Sequence, residues 1–221
     1  MLFRILFVLA FCCFAQAENI ISLAPNLTET VCYLGGEKKI IGITNDCNYP
    51  KKIMHRATVG KYLFPNIEAI IALQPATVIA EDTADKRFLA KLNTLKIHYK
   101  LYHVKGITDI VPLCEQLAQD FTLETQSIKK LKNKLNKKPK TTLQPAFIIL
   151  WEQPLIAAGK NTFVSDYWAR KGYQNLVTTT GYPVLNKEMM LAHPKATIIN
   201  IAKDPKQDVY MRLAPRLIES L

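Results

Sequence analysis

Short apolar runs bounded by turn residues alternate along this chain with stretches whose apolar residues recur every three or four positions. The runs are "IISLA" (Ile20 to Ala24), "IIGIT" (Ile40 to Thr44), "TVIA" (Thr77 to Ala80), "IHYKLYHV" (Ile97 to Val104), "AFIIL" (Ala146 to Leu150) and "TIINI" (Thr197 to Ile201). Runs so short and so apolar suit strands buried on both faces. Between them, "PNLTETVCYLGG" predicts a helix, with Asn26 three residues before Glu29 as a capping-box start and Gly35-Gly36 as the stop. "NIEAIIAL" predicts another, capped by Asn66 and broken at Gln74-Pro75, and "KRFLAKLNTL", "TFVSDYWARKG" and "LAPRLIESL" predict three more. Strand and helix in alternation are the rhythm of a parallel α/β sheet.

That rhythm breaks over 107–138. Ile110, Leu113, Leu117, Phe121, Ile128, Leu131 and Leu135 keep helical spacing, and Pro112 falls in the first turns, where proline is tolerated. The pattern predicts one long helix, enough to brace a small domain from end to end. It divides the chain into an α/β lobe over 18–106, a connector over 107–138 and a second α/β lobe over 139–221.

The two lobes share a phrase. "NIEAIIALQPATVI" from Asn66 and "NKEMMLAHPKATII" from Asn186 align without a gap on Asn, Glu, Ala, Ala, Thr and Ile. One copy per lobe excludes a solenoid, whose repeats are shorter and more numerous.

The first seventeen residues, "MLFRILFVLAFCCFAQA", carry Arg4, an apolar run and small residues at Ala15 and Ala17. They read as a secretory leader over 1–17, cleaved after Ala17, and export places the mature chain in the periplasm. Lipidation at Cys12 is disfavoured because Phe11, not a small residue, precedes it. Cys32, Cys47 and Cys114 then remain, an odd number, so at most one disulfide can form; buried free thiols are the simpler reading. The formal charge is +11. Export argues against a nucleic-acid partner, and much of the excess lies in "KKLKNKLNKKPK" at the end of the connector, where cations oppose the helix dipole.

Several segments carry a resemblance: "IISLAPNLTETVCYLGGEKKIIGITNDCNYP", "VGKYLFPNIEAIIALQPATVIAE", "ILWEQPLIAAGKNTFVSDYWARKGYQNL" and "LAPRLIESL". In content and order they resemble the periplasmic substrate-binding proteins of cobalamin and ferric-siderophore ABC importers. The cobalamin-binding branch looks most similar, through "CNYP" and "WEQPLIAAG". The resemblance implies two Rossmann-like lobes joined by one backbone helix, the class III periplasmic binding protein fold. It implies a monomer that captures a metal-chelate ligand between its lobes and hands it to a permease dimer. Cobalamin or another corrinoid comes first, a ferric siderophore or haem second; a ligand-sequestering exported binder with no permease is the remaining alternative. Glu68 and Glu188, one per repeat copy, match the glutamates that such proteins present to permease arginines. Between "TIINIAKD" and "DVYMR" the family has a further helix and strand, so the second lobe is expected to be shortened.

Ligands of α/β folds sit beyond the carboxyl ends of the strands. Asn45 and Asp46 follow one strand, Glu81 and Asp82 another, and Trp151 and Glu152 a third. The resemblance adds Tyr62, in the "VGKY" loop, and Asp208 and Arg212 from "DVYMR"; Tyr182 lies in the loop before Glu188. Aromatic faces suit a corrin or an aromatic chelate, although core packing is the alternative for each ring. No G-x-S-x-G surrounds any serine, and His55, His98, His103 and His193 show no paired metal spacing. The expectation is therefore a binding protein without catalytic residues, resident metal or cofactor.

Overall fold

A computed structural model describes residues 18–137, 143–204 and 212–221. Residues 1–17, 138–142 and 205–211, and with them the expected leader, the basic end of the expected connector and Asp208, lie outside the described residues.

The first lobe is built on a parallel sheet of β1 (Ile20–Ser22), β2 (Ile40–Ile43), β3 (Ala57–Thr58), β6 (Thr77–Glu81) and β7 (Tyr99–Tyr102), in the order β3-β2-β1-β6-β7. A small hairpin, β4 (Gly60–Lys61) with β5 (Phe64–Pro65), stands off its carboxyl edge. Gly60 is required there: it sits at φ +91°, and a Cβ would come within 2.7 Å of the Phe64 carbonyl oxygen.

Three helices serve this sheet. α1 (Pro25–Tyr33) starts with proline in its first turn and no side-chain cap. The expected capping box of Asn26 and Glu29 does not form, because the helix begins two residues earlier, with Ala24 at the cap; both side chains are buried and committed elsewhere. α2 (Ile67–Leu73) is capped as read, Asn66 Oδ1 accepting from Ala69 N at 2.9 Å, and ends at left-handed Gln74. α3 (Lys86–Thr94) is capped by Asp85.

The connector departs from expectation. It is two helices, α4 (Ile110–Asp120) and α5 (Gln126–Leu135), not one. Thr122 takes φ +49°, and Leu123 N donates back to Ala118 O at 2.9 Å, so α4 ends in a left-handed cap of Schellman type. Glu124 N then donates to Leu34 O, which pins the joint to the end of α1. The apolar stripe runs on through the break, with Phe121, Ile128 and Leu131 all buried.

The second lobe centres on β8 (Gln144–Glu152), flanked in parallel by β10 (Tyr173–Asn175) and β11 (Thr197–Asn200) and paired antiparallel with β9 (Leu155–Ala157). α6 (Phe163–Arg170) follows a Thr162 cap, α7 (Lys187–Leu191) an Asn186 cap, and α8 (Pro215–Glu219) ends the chain. One apolar core passes through both lobes: Ile20 and Leu27, Leu113 and Leu117 of α4, Ile148 and Leu150 of β8, and Leu217 of α8. Two lobes that share a core cannot swing freely. Among the described residues no helix is long and apolar enough to cross a membrane.

Candidate functional site

The carboxyl ends of β6 and β2 and the start of α1 face residues of the second lobe across a cleft of about 350 Å³. Asn26, Tyr62 and Glu81 form one wall, Phe163 and Arg212 the other, and Val104 lies at the entry to the connector.

Glu81 organises the first wall. It accepts from Asn26 Nδ2 at 2.6 Å on one oxygen and from the Tyr62 hydroxyl in a short hydrogen bond on the other. Burial and the adjacent Glu81 carboxylate push the Tyr62 phenol up to about 12, since both disfavour a phenolate. Asp46 holds the hairpin from below: its Oδ2 accepts from Tyr62 N at 2.6 Å, and its carbonyl accepts from Arg212 Nη2 at 3.3 Å. Asp46 therefore touches both walls. Arg212 Nη1 is buried without a protein partner among the described residues. A second hollow of about 450 Å³ adjoins the cleft, sharing Tyr62 and Glu81 and floored by Leu23, Phe64 and Phe88.

The structure thus brings Asp46, Tyr62, Glu81 and Arg212 together. Asn45 stands beside them, exposed, its backbone N–H bonded to Gly60 O. Trp151, Glu152 and Tyr182 do not line this cleft. Trp151 is 57% exposed on the β8–β9 hairpin, opposite Ile156. Glu152 accepts from Asn200 and Lys203, both at 2.8 Å; the Lys203 bond holds its carboxyl below the usual range. It borders a separate apolar groove of about 520 Å³ between α7 and β11. Tyr182 is exposed, and desolvation raises its phenol. Sequence reasoning missed Asn26 and Phe163. Asn26 was hidden by its capping-box spacing, and Phe163 carried no signal.

The repeated glutamates occupy matching places. Glu68 and Glu188 are both exposed in the first turn after an asparagine cap, and Asn186 Oδ1 accepts from Glu188 N at 3.0 Å. Cys32, Cys47 and Cys114 are free and buried, and burial pushes the Cys32 and Cys114 thiols up to about 12. Among the described residues no three His, Cys, Asp or Glu side chains gather as a metal site.

No family model matches the chain. It is 26% identical over 208 residues to the vitamin B12-binding protein of Pectobacterium atrosepticum, covering 86% of this chain and 74% of that one. The periplasmic haem-binding protein RhuT of Roseiflexus sp. RS-1 superposes with a TM-score of 0.74 at 17% identity, over 92% of this chain and 94% of that one. The periplasmic vitamin B12-binding protein BtuF of Vibrio cholerae superposes with a TM-score of 0.64 at 21% identity, over 92% and 93%. In sequence the chain is similar to vitamin B12-binding proteins, and it shares the two-lobed α/β fold of class III periplasmic binding proteins.

Proposed function

We propose that this chain is the exported binding component of an ABC importer, capturing cobalamin or a related corrinoid between its lobes and presenting it to a permease. The observation that carries this reading is the interlobe cleft itself, at the strand ends where this fold takes ligands, in a chain similar along most of its length to vitamin B12-binding proteins. Its walls suit a large, flat, amide-bearing ligand. Tyr62 and Phe163 offer ring faces, Glu81 accepts hydrogen bonds, and Arg212 Nη1, buried without a partner among the described residues, suits an acceptor on the ligand. Asn45 and Asp46 edge the same cleft. Trp151, Glu152 and Tyr182 lie outside the cleft and would meet the ligand only if it extends beyond the cleft, and Asp208 is a ligand contact by the resemblance alone. Glu68 and Glu188 are the permease contacts.

A haem or ferric-siderophore ligand is the second reading. The fold overlays a haem-binding protein more closely than a B12-binding one, and a phenol stands in the cleft wall. The test is a visible-absorbance titration of the purified protein with cyanocobalamin, haemin and a ferric catecholate. Saturable binding of cyanocobalamin alone supports the corrinoid reading. Binding of haemin alone replaces it with the second, and binding of none of the three overturns both.

A further inference from the structure

Residues 212–221 bond to α1, to α5 of the connector and to α6 of the second lobe. Arg216 grips Glu29 of α1 with two parallel hydrogen bonds, Nε to Oε1 at 3.0 Å and Nη2 to Oε2 at 2.9 Å. Its guanidinium also lies 3.7 Å from the centre of the Tyr49 ring. Tyr33 donates to Glu219 Oε1 at 3.1 Å, adding a second bond to α1. Lys134 of α5 donates to Glu219 O, which ties in the connector. On the second lobe, Tyr167 of α6 bonds the Ser220 hydroxyl at 3.0 Å, and Lys171 donates to Ser220 O. Leu217 and Ile218 are fully buried between these parts.

Two features make this more than a docked terminus. The Glu29 side chain is 3% exposed and that of Arg216 19%, so the pair is desolvated; separating it would strand a buried carboxylate. The pair also sits directly behind the cleft. Glu29 is one turn along α1 from Asn26, which holds Glu81, and Arg216 is four residues from Arg212 on the opposite wall. The connector cannot fix the distance between those walls alone, because it is jointed at Thr122.

We propose that residues 212–221 are a second tether between the lobes, latched by Glu29 and Arg216, and that this latch sets the width of the cleft. Glu29 and Arg216 are positioning residues, touching no ligand themselves.

The test places spin labels on exposed sites of each lobe, Thr94→Cys and Lys195→Cys, and reads the interlobe distance distribution in ligand-free protein. Arg216→Lys keeps the charge and loses the two-pronged grip. Glu29→Leu with Arg216→Met replaces the pair with apolar side chains, a change that commonly preserves stability. Both should keep a cooperative melt while the distribution broadens, and cyanocobalamin and haemin affinity should fall at least tenfold wherever the wild type binds. Distributions as narrow as wild type in both variants overturn the latch. Because the distance is read without ligand, it decides the latch even if neither compound binds. If both variants fail to fold, hydrogen exchange of the wild type decides. Protection of the 217–221 amides equal to that of β1 and β8 supports the tether, and exchange like a frayed end overturns it.

Discussion

At the scale of the residue, Glu81 shows how sequence and structure divide the work. Its position after a buried apolar run marks it as a cleft residue, and the same logic finds Asp46. What the sequence hides is its company. Asn26 lies in an Asn-x-x-Glu spacing that normally caps a helix, and only the packing of β1 between β2 and β6 brings it to Glu81. Trp151 follows a strand too, yet the β8–β9 hairpin carries β8 onward and leaves the indole exposed outside this cleft. The burial of Tyr62 and its bond to Glu81 predict an alkaline signature. The folded phenol holds its proton more tightly than the unfolded one, titrating near 12 instead of the usual 10. This linkage therefore favours the fold fully below pH 10 and is lost as pH rises through 12. Tyr62→Phe should remove a phenolate absorbance step near pH 12, and should lose less stability between pH 10 and 12 than wild type does. An unchanged difference titration would show that Tyr62 is not a late-titrating phenol in solution.

At the scale of the element, the strands and helices of the first lobe were largely legible, because apolar runs and asparagine or aspartate caps are local signals. The short second-lobe strands β9 and β10 were not, since three residues carry no periodicity. Nor was the joint between α4 and α5. Helical spacing of buried residues survives the break, so periodicity reports one stripe where the backbone makes two helices. The joint rests on Thr122, exposed and left-handed, where a β-branched side chain is strained. Thr122→Gly should relieve that strain at no packing cost and stabilise the protein by about 0.5–1 kcal/mol, read as a higher urea midpoint at unchanged slope. Destabilisation instead would mean that something other than backbone conformation sets the joint. The repeated caps make a parallel case. Asn66→Ala and Asn186→Ala should each cost about 1 kcal/mol at most, and Asn186→Ala the less, because α7 is only five residues long.

At the scale of the whole molecule, the echo between Asn66 and Asn186 acquires a spatial meaning. Each copy is an asparagine-capped helix feeding a parallel strand, and each exposes a glutamate in its first turn, one on either lobe of a body whose lobes share a core. Rigidity matters because two charges can read a partner's spacing only if their own spacing is fixed. Two separated ion pairs then give orientation and rate more than affinity. Replacing both glutamates with alanine should leave ligand affinity and melting temperature nearly unchanged, since an exposed first-turn charge is worth only about 0.3–1 kcal/mol to its helix. Capture by the cognate permease should fall further in the double variant than in either single one. Glu68→Lys with Glu188→Lys should be worse than alanine, because it sets like charges against each other. Added salt should weaken wild-type docking more than that of the alanine double variant. The measurement is co-purification with permease in detergent at two ionic strengths, beside ligand titration of the free protein. Docking equal to wild type would reduce the echo to two ordinary helix starts and leave a binder without a permease. Loss of ligand with normal docking would turn the glutamates inward and put the ligand site on the faces that carry α2 and α7.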